Sequence, residues 1–303
     1  MIRFGLCCIF KNQPIKFRQQ TARYLSRFST EERDRRLSEI CRHNGLSLMR
    51  ALIFCRANGI GGFRINSRIL PLKTHPEVGY AIGDLPGGDE IVALFKECGE
   101  YARKHDIRTT FHPDQFITLS SPSSDVVRRS VAELVYQAEV AEWVHADVIN
   151  LHAGGVHGDK PATLQRLKDN IRRLPPPVRQ RLTLENDDRS YTPAELLPLC
   201  RGLDIPLVYD VHHHRCLPDH LDIAEATRLA AETWGGREPL FHLSSPADGW
   251  RGNGKKKHHA RINPDDFPAL WRSMGITVEV EAKDKEIAIL KLMEDLSRIE
   301  RRN

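Results

Sequence analysis

The sequence predicts an α/β chain folded as a single (β/α)8 TIM barrel over residues 1–303, with a metal site at the C-terminal rim of the strands, on three observations. Strand-like and helix-like segments alternate from end to end, which calls for a parallel sheet with helices outside it. Six short apolar runs each close on a histidine or a carboxylate: IRTTFH on His112, DVINLH on His152, RLTLE on Glu185, PLVYD on Asp210, PLFH on His242 and ITVEVE on Glu281. These residues recur 25 to 40 positions apart, the span of one strand-plus-helix unit. An open doubly wound sheet gathers its ligand residues at one crevice, whereas a closed barrel brings every strand end to one rim.

The elements follow in order. MIRFGLCCIF holds the first strand, over 2–8; it is short and carries an early Arg3, so it does not read as a signal peptide. Ser29-Thr30-Glu31-Glu32 opens a helix over 31–43 with a capping serine and first-turn acids. An apolar run at 48–54 reads as the second strand, and the Gly- and Pro-rich stretch 55–87 as a long loop over the rim. A helix at 89–104 leads to the strand 107–112, which Pro113 terminates by forcing His112 out of the helical region. The helix 123–145, strand 147–152 and helix 162–173 follow, and the prolines at 175–177 read as a stiff connector to the strand 181–185. Thr192-Pro193 starts the helix 194–201, and the strand 206–210, helix 221–234 and strand 239–243 come next. A basic loop, 244–262, contains KKKHHAR; Asn263-Pro264 then opens a helix over 264–273, before the strand 276–281 and the last helix, 284–300.

Composition narrows the function classes. With 40% hydrophobic and 28% charged residues the chain reads as soluble with a real core, and no apolar run approaches the roughly 20 residues of a membrane helix. An intracellular, cytoplasmic protein is expected. The seven cysteines are odd in number, scattered and without a CxxC pair, which argues against a disulfide framework or a zinc ribbon and leaves them as small buried hydrophobes. A net charge of +5 permits a polyanionic partner without demanding one.

Three histidines and three carboxylates meeting at one rim read as a multi-metal site, and point to hydrolysis of a phosphate ester. The small residues Ala153-Gly154-Gly155 after His152 would let a ligand backbone come close. Asn186 is placed to orient Glu185, and the D-x-x-H spacing selects His213 beside Asp210, with His212 and His214 left as structural residues. Gln115-Phe116 forms a tip beyond His112: Phe116 either covers a hydrophobic edge or wedges into a base stack. Lys283 either contacts a phosphate or is a solvated helix-start lysine. A mixed His/carboxylate shell without cysteine suits Mn²⁺, Zn²⁺ or Fe²⁺. No G-x-S-x-G is present, and the Gly-rich ANGIGGF lacks the Lys-Ser/Thr of a phosphate loop, so neither a nucleophilic serine nor an organic cofactor is expected.

With these residues placed, the chain resembles the UV damage endonuclease family, barrel enzymes of the xylose isomerase-like superfamily related to endonuclease IV. The resemblance rests on His112-Pro113-x-Gln115-Phe116, Asn150-Leu151-His152, Leu184-Glu185-Asn186-Asp187, Asp210-x-x-His213, His242-Leu243-Ser244-Ser245-Pro246 and Glu281-Ala282-Lys283-x-Lys285-Glu286. It implies a DNA repair endonuclease that nicks 5′ to UV photoproducts (cyclobutane dimers and 6-4 products), and in some members at abasic sites. Damaged double-stranded DNA would be the partner of a monomer holding two or three divalent metals, Mn²⁺ first and Zn²⁺, Mg²⁺ or Fe²⁺ as alternatives. The resemblance assigns His112, His152 and Glu185 to one metal, and Glu185, Asp210, His242 and Glu281 to a second, with Glu185 bridging. His213 and a histidine of the 244–262 loop would hold a third: His258 is favoured, since four residues separate it from Ile262 as in the family's pattern, with its neighbour His259 the close alternative. Glu185, His112, His152 and Glu281 carry the catalytic role. Gln115-Phe116 matches the pair the family pushes into the duplex, His75 its extra rim histidine, and Lys283 a DNA contact. Three positions depart from the pattern: Phe116 stands where tyrosine is common, Leu6 where some members have tyrosine, and Leu240 where some have a modifiable lysine beside the metals. The rival readings are an abasic-site endonuclease without photoproduct activity, a metal-dependent sugar isomerase of the same superfamily, and a damage-binding module.

Overall fold

Eight short strands form the wall of the protein in the computed structural model, which describes residues 2–301. They are β1 (Arg3–Cys7), β2 (Gly62–Ile65), β3 (Arg108–Phe111), β4 (Val148–His152), β5 (Leu182–Glu185), β6 (Leu207–Asp210), β7 (Leu240–Leu243) and β8 (Thr277–Val280). All pair in parallel and in chain order, and β8 returns to β1 to close the barrel. The helices are α1 (Ala22–Leu25), α2 (Thr30–Ala57), α3 (Gly88–Lys104), α4 (Ser124–Trp143), α5 (Lys160–Arg172), α6 (Pro176–Arg179), α7 (Pro193–Leu203), α8 (Val211–Cys216), α9 (Ile223–Glu232) and α10 (Glu286–Glu300). No helix among the described residues is long and apolar enough to cross a membrane.

The period-2 alternation of a strand separates two environments. Leu6, Phe63, Phe111, Leu151, Leu184, Tyr209, Phe241 and Val280 are buried in the main hydrophobic core with the helices; each such burial contributes about 1.5–3 kcal/mol. The alternate residues fill the barrel. At its lower end Val148, Val208, Leu240 and Trp234 form a separate apolar plug. The Trp234 indole donates to the Leu207 carbonyl at 3.0 Å, and the Arg108 guanidinium lies 5.3 Å from the ring centroid. Above the plug the interior turns polar, with Thr110, Asn150, Thr183, Glu185, Asp210, His242 and Glu279 all buried. A closed apolar floor under a polar mouth confines access to the C-terminal rim.

Three elements differ from the sequence expectation. The run 48–54 is not a strand but the last third of α2, whose buried Leu37, Cys41, Leu48, Leu52 and Cys55 continue one helical stripe. The second strand lies inside the stretch 55–87, at Gly62–Ile65. Its alternate residues are Gly62 and Arg64, too polar to signal a strand. The 264–273 helix is instead two 3₁₀ segments, Pro264–Asp266 and Ala269–Ser273, because Pro268 (ψ 128°) interrupts them. The triple proline is not merely a connector: Pro175 caps the single turn of α6.

Candidate metal centre

Glu185, the last residue of β5, is the hub of the barrel mouth, and its exposure is only 1%. Its Oε2 lies 3.1 Å from His112 Nε2 and 3.9 Å from His152 Nε2, and its Oε1 lies 3.1 Å from His242 Nδ1 and 3.4 Å from His213 Nδ1. The carboxylate therefore turns one oxygen to the β3–β4 side and the other to the β6–β7 side. Asn150 donates to Oε2 at 2.5 Å and is itself held by Thr183 Oγ1 at 2.9 Å. Asp210 closes β6, and its backbone is fixed by a reciprocal pair of 2.9 Å hydrogen bonds with the Asn186 side chain. Asp210 Oδ1 then caps α8 by accepting from the His213 amide at 2.8 Å, which sets the D-x-x-H turn. Glu281 lies just past β8, 3.6 Å from His242 Nδ1 and 3.7 Å from His258 Nδ1.

Donor atoms of His112, His152 and Glu185 lie within 4.8 Å of one another, as do those of His112, His242 and Glu281, and those of Glu185, Asp210 and His213. The 244–262 loop folds back on itself through an antiparallel bridge between Pro246 and His258, which brings the His258 ring to 6.4 Å from that of His213. His259 faces the other way, its Nδ1 accepting from the Arg261 amide at 3.0 Å. His212, left as a structural residue by its sequence position, is buried and packs its ring 5.4 Å from His258 and 5.3 Å from Trp250, supporting the loop. His214 is tied between the Tyr209 hydroxyl at 2.7 Å and Asp219 at 3.1 Å.

The other predicted residues lie around this cluster. Phe116 is 74% exposed at the tip after β3, and Gln115 reaches into a cleft of about 500 Å³ that it shares with His152, Gly154, His213 and Lys256. Gly154 is required there twice over: its φ is +87°, and a Cβ would meet Thr118 Oγ1 at 2.5 Å. Lys283 is exposed in a second cleft of about 520 Å³ with Arg64, His258, Glu281 and Lys285. His75 belongs to neither cleft: it lines a third, of about 410 Å³, beside Arg68 and Glu133, and its Nδ1 accepts from the Glu77 amide at 3.2 Å. Leu6 faces the helix core and Leu240 the lower plug, so neither side chain reaches the rim.

Two residues of the centre escaped the sequence reading. Glu279 sits one layer below Glu281 on the same face of β8, and Arg64 of β2 pairs with both of them. Parity along VEVE was the available signal for Glu279; Arg64 was hidden in the misassigned loop.

The electrostatics fit divalent cations. Four carboxylates (Glu185, Asp210, Glu279 and Glu281) crowd a largely buried site in which the Arg64 guanidinium pairs with Glu279 and Glu281. Asp210 Oδ2 is a buried acceptor with no hydrogen-bond partner, and His112 Nδ1 and His152 Nδ1 are likewise unpartnered. Such a surplus of buried negative charge is costly unless compensated. Protons play that part in the metal-free chain. Burial would lower His213 and His242, but Asp210 and Glu185 beside them hold both well above the usual histidine value. Burial would raise Glu185 and Glu281, yet the facing histidines, and for Glu281 first of all Arg64, hold them well below the usual carboxylate range. His152 is lowered, chiefly by burial.

A pH dependence follows. The raised histidines stabilise the metal-free fold fully below their unfolded value of 6.5, and that contribution is lost as pH rises through the folded values. The depressed carboxylates contribute above 4.5 and lose it on acidification, and His152 adds a cost at acid pH. Metal-stripped protein is expected to unfold at its highest temperature between about 4.5 and 6.5 and to weaken towards pH 9, with excess Mn²⁺ abolishing the alkaline loss. A series of thermal melts with and without Mn²⁺ checks this; an alkaline loss that persists with Mn²⁺ present contradicts it.

Comparison with known proteins agrees with the geometry. A family model described as UV-endonuclease UvdE matches residues 2–303. A UV DNA damage endonuclease of Bacillus velezensis is 34% identical over 319 aligned positions, covering 99% of this chain and 95% of that protein. The crystal structure of SacUVDE aligns with a TM-score of 0.88 at 27% identity, over 99% of both chains. Endonuclease IV from Thermus thermophilus aligns with a TM-score of 0.62 at 14% identity, over 98% of this chain and 99% of that one, a likeness of fold alone. On a family match that spans the barrel from its first strand to its last helix, the chain belongs to the UV-endonuclease UvdE family.

Proposed function

We propose that this chain is a DNA repair endonuclease that hydrolyses the phosphodiester 5′ to UV photoproducts, cyclobutane dimers and 6-4 products, in damaged double-stranded DNA. It works as a cytoplasmic, single-domain monomer with two or three divalent cations, Mn²⁺ first. The observation that carries this reading is the buried Glu185 carboxylate, with His112 and His152 at one oxygen and His213 and His242 at the other, in a chain of the UvdE family. Held by His112, His152, Glu185, Asp210, His213, His242, His258 and Glu281, divalent cations would supply the Lewis acidity that activates water and neutralises the leaving oxygen.

The chain's own groups do the rest. Asn150 and Thr183 lock the rotamer of Glu185, so its two oxygens stay aimed at separate donor sets. Asn186 and the α8 cap do the same for Asp210 and His213. Two clefts flank the centre on opposite sides of the barrel, one with Gln115 and Lys256, the other with Lys283 and Lys285. Both are open, which suits a strand crossing the rim and not an enclosed small sugar. Their lysines offer phosphate contacts, and Gln115 and Phe116 stand where they can enter a stack weakened by damage.

The test is a duplex carrying one defined photoproduct, incubated with the chain across Mn²⁺, Zn²⁺, Mg²⁺ and Fe²⁺. A single nick 5′ to the lesion, strongest with Mn²⁺ and absent with chelator, is the expected result. Cleavage of an abasic duplex alone would move the assignment to an abasic-site endonuclease, and no cleavage of either duplex would end the hydrolase reading.

A further inference from the structure

We propose that Glu279 is a positioning residue of the metal centre, acting on it through His242 from the layer beneath; this rests on the metal-centre reading above. Parallel pairing sets His242 of β7 beside Glu279 of β8, with Gly5 of β1 on the other side. Glu279 is 2% exposed and Arg64 5%. Glu279 Oε2 lies 3.1 Å from both His242 Nε2 and Arg64 Nε, and its Oε1 accepts a short hydrogen bond from Thr110 Oγ1. The opposite ring nitrogen, His242 Nδ1, faces Glu185 at 3.1 Å, Glu281 at 3.6 Å and Asp210 at 4.0 Å. His242 thus presents one nitrogen to the candidate ligand set and the other to a buried carboxylate. The Nε2 contact is a 3.1 Å charge contact with no aligned hydrogen bond, and an outer carboxylate so placed orients a ligating imidazole and raises its basicity.

The barrel wall is shaped to hold this group. A Cβ on Gly5 would stand 3.0 Å from Glu279 Cγ, and one on Gly62, its neighbour in β2, would stand 3.2 Å from the Gly5 backbone. Gly5 leaves the room that the Glu279 side chain needs, and Gly62 lets β2 lie close against Gly5. Glu279 Oε1 accepts from Thr110, and Oε2 makes charge contacts with Arg64 and His242 one layer beneath the converging donors, the place of a group that supports a ligand. Arg64 also bridges to Glu281, which links the support to a second predicted ligand.

The simpler alternative is that Glu279 only neutralises Arg64. Calorimetric titration of the metal-stripped full chain with Mn²⁺ separates the two. Glu279→Ala is expected to weaken Mn²⁺ binding about 10–100-fold, and Glu279→Gln, which keeps an acceptor towards His242, is expected to fall between it and the wild type. The double variant Arg64→Met/Glu279→Met avoids the lone guanidinium that Glu279→Ala leaves, with Glu281 still facing His242 and His258, so it is the arm to use, against Arg64→Met, if Glu279→Ala does not fold. Freeing Glu281 from Arg64 favours metal binding, and weakened binding in the double variant is therefore attributable to loss of the His242 support. Wild-type affinity in Glu279→Ala, or a double variant that binds Mn²⁺ as tightly as Arg64→Met alone, would overturn the positioning role while leaving the metal centre standing. A wild-type chain that takes up no Mn²⁺ would overturn the metal-centre reading itself and this inference with it.

Discussion

Glu185→Ala and Glu185→Gln are expected to lose nicking of a photoproduct duplex by roughly 10²–10³-fold or more, the scale seen when a preorganised group acting on the reacting centre is removed. The reason is geometric. Among the described residues, Glu185 is the one carboxylate whose two oxygens lie within 4 Å of nitrogens from four histidines, carried by β4, β7, α8 and the residue after β3. Its loss breaks two of the three converging donor groups at once. Glu185→Gln is the fold-preserving arm: it keeps the shape under Asn150 and removes only the charge, whereas Glu185→Ala also leaves imidazoles without their buried partner. Native circular dichroism and a cooperative melt, together with lost nicking, are the expected pair of results. Undiminished nicking in either folded variant contradicts the mechanism.

Phe116→Ala is the second large effect, and it is expected in binding alone. A phenylalanine with 74% of its surface in water contributes nothing to the core. The tip that presents it is held without the ring: Asp114 pairs with Arg68 at 2.8 Å, accepts from the Phe116 amide at 3.2 Å, and its carbonyl accepts from the Ile117 amide at 2.8 Å. Stability is therefore expected to change by no more than about 0.5 kcal/mol. Affinity for a photoproduct duplex is expected to fall by about 1–3 kcal/mol, the worth of one base–aromatic stack, while undamaged duplex and Mn²⁺ binding stay as they were. Phe116→Tyr keeps the ring and is expected to bind as the wild type does. Fluorescence anisotropy on matched damaged and undamaged duplexes measures the difference; equal losses on both would make Phe116 a general contact and not a lesion wedge.

Both variants concern residues that could be picked out from sequence, and the reason lies in the barrel. A strand that ends an apolar run on His or Glu is chemically conspicuous, so His112, His152, Glu185, Asp210, His242 and Glu281 stood out, and the structure brings their side chains to one mouth. The same logic failed for β2. Gly62 and Arg64 face a polar interior, so the four-residue strand carried almost no apolar alternation, while the tail of α2 supplied a false one at 48–54. Missing β2 meant missing Arg64. Glu279 is inconspicuous for another reason, since it lies one layer below the strand end, inside the run ITVEVE that closes on Glu281. The spacing to Ile262 favours His258 over His259, and the loop's own pairing, Pro246 with His258, is what turns that ring towards His213. His75 matches a motif position, and the structure sets it on a turn, its Nδ1 accepting from the Glu77 amide, beside a cleft lined also by Arg68 and Glu133.

The central claim is that several divalent cations share this mouth. Electron paramagnetic resonance of metal-stripped protein titrated with Mn²⁺ tests it most directly. Exchange-coupled spectra from neighbouring ions, lost in Glu185→Gln, are the predicted result. Only the six-line signal of isolated Mn²⁺ at every loading, unchanged by that substitution, would contradict the account.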